Sequence, residues 1–192
     1  MYPGISTPRR HDRRAVTPTG IERPYSRDEI IVSKTDRQGR ITYANDIFCR
    51  VAAFDEADLL GQPHSIVRHP DMPRAVFQVL WDRLGAGKEI FAYVLNMAKD
   101  GGHYWVLAHV TPTLDARGQV VGHHSSRRWV PPHVRATVAE VYATVLEAES
   151  RAASTPEKVA AGLACLDDLL DAAGHTLDTW VWSLAAREEV YA

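Results

Sequence analysis

Three things are scarce in this 192-residue chain: cysteine, net charge and long apolar runs. Only Cys49 and Cys165 are present, too few and too far apart for a disulfide framework or a metal knuckle. Thiols used this sparingly fit a reducing compartment. Lys and Arg number 22 against 24 Asp and Glu, a formal charge of −2. That near-balance excludes the broad basic surface of a dedicated nucleic-acid binder. No stretch approaches the roughly 18 apolar residues that cross a bilayer, so no membrane span is expected. Arg and Pro near the N-terminus stand where a signal peptide has its apolar core, and a cytoplasmic protein is expected. Motifs of catalysis are absent too: there is no nucleophile elbow, no His-Glu-x-x-His and no glycine-rich loop leading from strand to helix. Gly85-Ala86-Gly87 follows a helical pattern and reads as a helix stop. The sequence does not read as that of an enzyme. What remains is an ordinary globular composition, 45% hydrophobic and 24% charged, long enough to bury a core without covalent staples.

The small total charge hides three unequal parts. Residues 1–28 hold six Arg against three acidic residues and four Pro, with almost no apolar periodicity. They are expected to form a disordered basic tail. Residues 29–131 are nearly balanced, with 12 basic and 11 acidic side chains. Ile30-Ile31-Val32 and Ile41-Thr42-Tyr43 read as a hairpin about Asp36-Arg37-Gln38-Gly39. A short helix capped by Asn45 follows, then an irregular segment, then an amphipathic helix carrying Val76, Phe77, Leu80, Trp81 and Leu84. Three strands are expected at 89–98, 103–114 and 119–130, separated by Lys99-Asp100-Gly101-Gly102 and Asp115-Ala116-Arg117-Gly118. Together these patterns describe an α+β domain: an antiparallel sheet with helices on one face.

Residues 132–192 carry four basic and ten acidic side chains and read as about three helices. Val134, Val138, Val141, Val145 and Ala148 form an a/d seam. Ser154-Thr155-Pro156-Glu157 has capping-box spacing. A third stripe joins Leu177, Trp180, Val181 and Leu184. The first seam suits either a second copy of the chain or simple packing over the sheet.

The most unusual stretch is Gly61-Gln62-Pro63-His64-Ser65-Ile66-Val67-Arg68-His69-Pro70-Asp71-Met72-Pro73. Its prolines stiffen the backbone, so Arg68, His69 and Asp71 sit on a rigid connector. Such a connector suits a ligand wall prepared in advance, or a structural Arg68–Asp71 ion pair.

This stretch, with Tyr43-Ala44-Asn45-Asp46, Lys99-Asp100-Gly101-Gly102-His103-Tyr104-Trp105-Val106, Thr111-Pro112 and Gly118-Gln119-Val120-Val121-Gly122, resembles the sensory PAS domain of bacterial aerotaxis receptors. The resemblance runs from about Ile30 to Arg128. It implies a PAS fold, a five-stranded antiparallel sheet with helices on one face, here with a C-terminal α-helical extension. It also implies a pocket that binds FAD non-covalently, whose redox state reports oxygen or energy status. Carried over by position, Asn45 faces the flavin from the first helix, and Arg68, His69 and Asp71 form a polar wall. Phe77 and Trp81 form the apolar floor, and Asn96 is a polar position on the third strand. The family commonly has an aromatic residue where this chain reads Gly87-Lys88-Glu89-Ile90-Phe91-Ala92, leaving Phe91 or Tyr93 to substitute. His123 stands where another aromatic is usual.

Six histidines (His64, His69, His103, His109, His123 and His124) lie in the 29–131 module. They keep haem b, held through one axial His, as an alternative cofactor. His123 and His124 are adjacent on a strand and point to opposite faces, so they do not chelate one metal, and no metal site is expected. Aerotaxis receptors continue into a membrane anchor and a kinase-controlling coiled coil, which residues 132–192 do not resemble. The resemblance therefore implies signalling by protein–protein contact, through a homodimer or with a chemoreceptor or kinase-pathway partner. The remaining possibility is a cofactor-free interaction module.

Overall fold

The computed structural model describes residues 16–186. Five strands, β1 (Ile31–Asp36), β2 (Ile41–Ala44), β3 (Ile90–Met97), β4 (His103–Leu114) and β5 (Val120–Arg128), form one sheet in the order β2-β1-β5-β4-β3. Every neighbouring pair is antiparallel. Tight turns make two local units, the β1–β2 hairpin and the β3-β4-β5 meander. The long-range β1–β5 pairing, with Ser33 opposite Ser125 and Ile31 opposite Arg127, joins them. The chain must then travel from one edge of the sheet to the other between β2 and β3. It does so through α1 (Asp46–Ala52), α2 (Glu56–Leu59), a 3-10 turn at His64–Val67 and α3 (Arg74–Gly85). These short elements cover one face of the sheet, called the inner face below. The expectation of an irregular segment before α3 missed α2 and the 3-10 turn. Each is a single turn of four residues, too short to show a period.

Asn45 starts α1 as its N-cap. Its Oδ1 accepts from the backbone N–H of Phe48 and of Val32, both at 3.0 Å, and its Nδ2 donates to the Ile30 carbonyl at 2.8 Å. One amide thus caps the helix and ties it to β1. Alternation along the strands then divides the side chains. Ala92, Val94 and Asn96 of β3 share the inner face with Tyr104, Ala108 and Val110 of β4 and with His123, Ser125 and Arg127 of β5. Phe91, Tyr93, Leu95 and Trp105 point the other way.

That second face is covered by the C-terminal helices α4 (Pro132–Ser150), α5 (Thr155–Ala172) and α6 (Leu177–Ala186). Tyr142 of α4 packs 6.2 Å from Trp105 and donates to the Tyr93 carbonyl at 2.7 Å. Trp182 and Trp180 of α6 meet Phe91 and Tyr93 at 4.6 and 6.4 Å. Val134, Val138 and Val145 are buried in the same core. The seam considered for a second copy therefore packs against this chain's own sheet, because β3 and β4 present it with a wall of aromatic rings. The capping box of α5 is formed by Ser154 and Glu157. Glu149, at the end of α4, reaches α3: its Oε1 accepts from the Ala75 amide at 2.9 Å.

Residues 1–15 of the expected basic tail lie outside the described residues. Residues 16–28 are not free: Ile21, Arg23 and Thr19 exchange backbone hydrogen bonds with His103 and Gly101 at 2.7–2.9 Å. Arg23 pairs with Asp100, and the Tyr25 hydroxyl donates to the Trp105 carbonyl at 2.7 Å. Low apolar content hid a segment that is held by backbone pairing instead.

Candidate functional site

Between the inner face of the sheet and α3 lies a cavity of about 140 Å³. Its apolar walls come from Phe77, Leu80 and Leu84 of α3 and from Val94, Ala108 and Val110 of the sheet. Polar groups gather at two places. Arg68 stands at one end, its guanidinium 4.3 Å above the Phe77 ring and donating to the Met72 carbonyl at 2.9 Å. The sheet supplies Asn96, Ser33, Thr35, His123, Ser125 and Arg127, and the 3-10 turn adds His64. Trp81 borders the cavity with 44% of its surface exposed. It lies against Gly39, where an added Cβ would come within 2.9 Å of the indole, and edge-on to His123 at 5.6 Å. A side chain at 39 would displace Trp81, and the positive φ of 75° at Gly39 independently disfavours one.

The deepest charge is Arg127, 2% exposed. Nε donates to Ser125 Oγ at 3.0 Å, and Nη2 donates to Ser33 Oγ and, at 2.9 Å, to His64 Nε2. Its guanidinium lies 4.7 Å from the Phe48 ring centroid, and Phe48 in turn stacks on His64 at 5.8 Å. Burial lowers the arginine to about 10. Burial, and then the neighbouring Arg127 charge, hold the His64 imidazole at about 3, so it is a neutral acceptor near pH 7. His123 is also depressed by burial. Its Nδ1 shares a hydrogen bond with Thr35 Oγ1 at 3.2 Å.

Of the seven residues singled out in the sequence, the cavity wall brings together Arg68, Phe77, Trp81 and Asn96. The other three lie elsewhere. Asn45 spends its amide on the α1 cap and on β1. His69 is buried and borders a second, larger and more open depression of about 640 Å³, which Arg68 also touches, with Arg74 and Lys158. Asp71 is exposed and lies 3.6 Å from His69 Nδ1. The inner-face cavity, the less open of the two, is the better ligand site, because an open depression desolvates little of what it holds. Phe91 and Tyr93 point to the opposite face, so neither replaces the missing aromatic. The sequence pattern did not single out Arg127, Ser33 or Ser125, and it raised His64 only as one of six histidines. Alternation along residues 119–130 would have grouped His123, Ser125 and Arg127 on one face.

The donors fit the polar edge of a planar heterocycle: Asn96 donates and accepts, and Arg127 donates. A cavity of about 140 Å³ holds a ring of roughly benzene size. A three-ring flavin therefore needs the mouth to open at Trp81. Among the described residues, no group of three or more His, Cys, Asp or Glu side chains is placed to hold a metal ion, and no helix is long and apolar enough to cross a membrane.

Residues 41–126 match the family described as PAS fold. The aerotaxis receptor of Escherichia coli (strain K12) is 40% identical over 119 residues, 62% of this chain and 23% of the receptor. A nitrogen fixation regulatory protein of Klebsiella pneumoniae is 34% identical over 91 residues, 47% of this chain and 18% of that protein. The chain thus spans about a quarter or less of these relatives' length. A solved light-oxygen-voltage domain, from a study with a flavin analogue, superposes with a TM-score of 0.52 at 22% identity over 58% of this chain and 85% of that one. The light state of the blue-light photoreceptor Aureochrome1 LOV superposes with a TM-score of 0.51 at 21% identity, over 61% of this chain and 91% of that one. Five antiparallel strands in this order, with helices crossing the inner face, agree with the match over residues 41–126: this part of the chain has the PAS fold, and three further helices pack against it.

Proposed function

We propose that this protein is a cytoplasmic, non-enzymatic sensor that binds FAD in the inner-face cavity and reports its redox state by protein–protein contact. The observation that carries the reading is the pairing of apolar walls with convergent amide and guanidinium donors, in a domain 40% identical to the aerotaxis receptor. Bound there, a flavin would supply reversible electron transfer. The protein's part would be to orient it and exclude water. Phe77, Leu80 and Val94 would sandwich the ring system, Asn96 would hold its polar edge, and Trp81 would close over it. Arg68, which borders both the cavity and the open depression, would fork onto a phosphate of the tail. Asn45, His69 and Asp71 would act on the scaffold behind these contacts. Signal output would pass through α3 to the helices packed on it, toward a second copy of the chain or a chemoreceptor or kinase-pathway protein.

The test is the visible spectrum of the purified full chain, with mass analysis of whatever heat releases. Flavin bands and a released mass of FAD are expected. FMN in its place would redraw the role given to Arg68. A Soret band would substitute haem b, and a colourless protein from flavin-replete cells would leave a cofactor-free interaction module. If FAD is present, Arg68→Ala should lose it while the far-ultraviolet circular dichroism stays unchanged.

A further inference from the structure

The cavity contains a charge that nothing else in the described chain answers. Arg127 is 2% exposed, yet none of the ion pairs among the described residues includes it. Its partners are two serine hydroxyls, the acceptor nitrogen of His64 and the face of Phe48, all neutral. Nη1 is buried and has no partner among the described residues. Buried guanidinium groups are normally matched by a carboxylate, and a lone buried charge is costly enough that an apolar residue of similar volume is often the more stable choice. Packing alone therefore does not account for arginine at this position.

We propose that Arg127 is the anion anchor of the pocket: its ligand is a planar, mainly apolar ring bearing a negatively polarised oxygen edge, a carboxylate or the imide face of a heterocycle, that docks on the guanidinium. This rests on the reading of the cavity as a ligand site and does not require that the ligand be FAD. The surroundings favour it. Val94, Ala108, Val110, Leu80 and Leu84 keep the path to the guanidinium apolar, so a charge-assisted hydrogen bond there is little weakened by water. His64 does not compete as a counter-ion, because it is neutral and already accepts from Nη2.

The full chain is purified as wild type, Arg127→Met and Arg127→Lys. Methionine fills similar space without charge, and lysine restores charge without the fork. If the wild type carries flavin, flavin affinity should fall at least about tenfold in Arg127→Met and recover in part in Arg127→Lys, the low end of what a hydrogen bond to a charged group contributes. Unchanged affinity in Arg127→Met would overturn the anchor and leave the flavin reading standing. If the wild type is colourless, benzoate is the probe. It should bind at least about tenfold more tightly than its neutral isostere benzamide, and Arg127→Met should abolish that preference. Benzoate selectivity in a flavin-free protein would keep the anchor while the flavin reading falls. Equal binding of the two probes, or of neither, would overturn the anchor. Stability gives a readout independent of any ligand: without ligand, Arg127→Met should melt no lower than wild type. A marked fall, or failure to fold, would make Arg127 a structural residue.

Discussion

Glu149 offers the sharpest test of how the C-terminal helices hold the ligand-binding half of the molecule. The helix α3 begins behind Pro73, which supplies no side-chain cap. The Ala75 amide is instead satisfied from another helix by Glu149 Oε1 at 2.9 Å. Both residues are buried, at 0% and 4% exposure, so water is no substitute. Glu149→Ala removes a hydrogen bond to a charged group and leaves a buried N–H unsatisfied, a loss of about 1.5–3 kcal/mol. The carboxylate's own desolvation is relieved at the same time, so about 2 kcal/mol is the net expectation. For a chain of this length, that lowers the melting temperature by roughly 4–8 °C. Glu149→Gln keeps an acceptor oxygen and loses only the attraction between a negative charge and the start of α3, about 1 kcal/mol or less. Circular-dichroism melts at neutral pH should therefore rank wild type above Gln above Ala. An alanine variant within about 1 °C of wild type would refute the capping argument, because it would put the uncompensated cost well below the range for a buried amide. A glutamine variant as damaging as alanine would show that charge, not the accepted hydrogen bond, sets the effect.

Three further outcomes follow from the same contacts. Gly162→Ala would place its Cβ 2.6 Å from Glu149 Oε1 and 3.0 Å from the Ala75 Cβ. It should cost about 1–3 kcal/mol in urea unfolding despite alanine's better helix propensity, and a stabilised variant would contradict the tight α3–α4–α5 contact. Asn45→Ala should lower stability by about 1–2 kcal/mol through the lost cap but leave any bound ligand in place, whereas Asn96→Ala should do the reverse. Ligand loss in the Asn45 variant alone would restore Asn45 to the pocket. The His64 imidazole, held at about 3 by burial and Arg127, resists a proton that the unfolded chain accepts near pH 6.5. Its contribution is complete above about pH 6.5 and is lost as pH falls toward 3, at up to about 1.4 kcal/mol per pH unit. His69, His123 and His124 are depressed by burial in the same sense and add to the slope. His64→Asn should flatten the dependence of unfolding free energy on pH between about 4 and 6, and an unaltered slope would count against a buried neutral imidazole.

The strands and the longer helices were legible because their signals are local. Gly39, Gly101 and Gly118 all adopt positive φ at turns that the sequence marks with Asp and Gly. Asn45 and the Ser154–Glu157 box sit at helix starts that their spacing announces. What local signals do not carry is partnership. The Val134–Val145 seam says that one side of α4 is apolar, but the identity of the covering surface depends on Tyr93 and Trp105, separated from the seam by dozens of residues. The Asn45 position similarly suggests a ligand contact by resemblance, while hydrogen bonds to Ile30 and Val32 engage its amide.

Arg127 shows why the functional residues were harder to read than the fold. In the sequence it is one of two consecutive arginines at the end of a strand, where charge usually marks the solvent side. Alternation requires one of the pair to face inward, and pairing with Ile31 and Ala108 determines that it is Arg127. Those pairings bring Ser33 and Ser125 beside the guanidinium and leave no carboxylate there. The sheet's alternation forces an arginine into the pocket, and the pocket's apolar lining then makes its unanswered charge significant. A carboxylate within reach would have made it an ordinary buried ion pair, so the decisive feature is the set of neighbours brought together by the long-range β1–β5 register. That register also makes the anchor testable separately from the fold: Arg127→Met preserves the inner-face pairing while removing the buried guanidinium proposed to distinguish benzoate from benzamide.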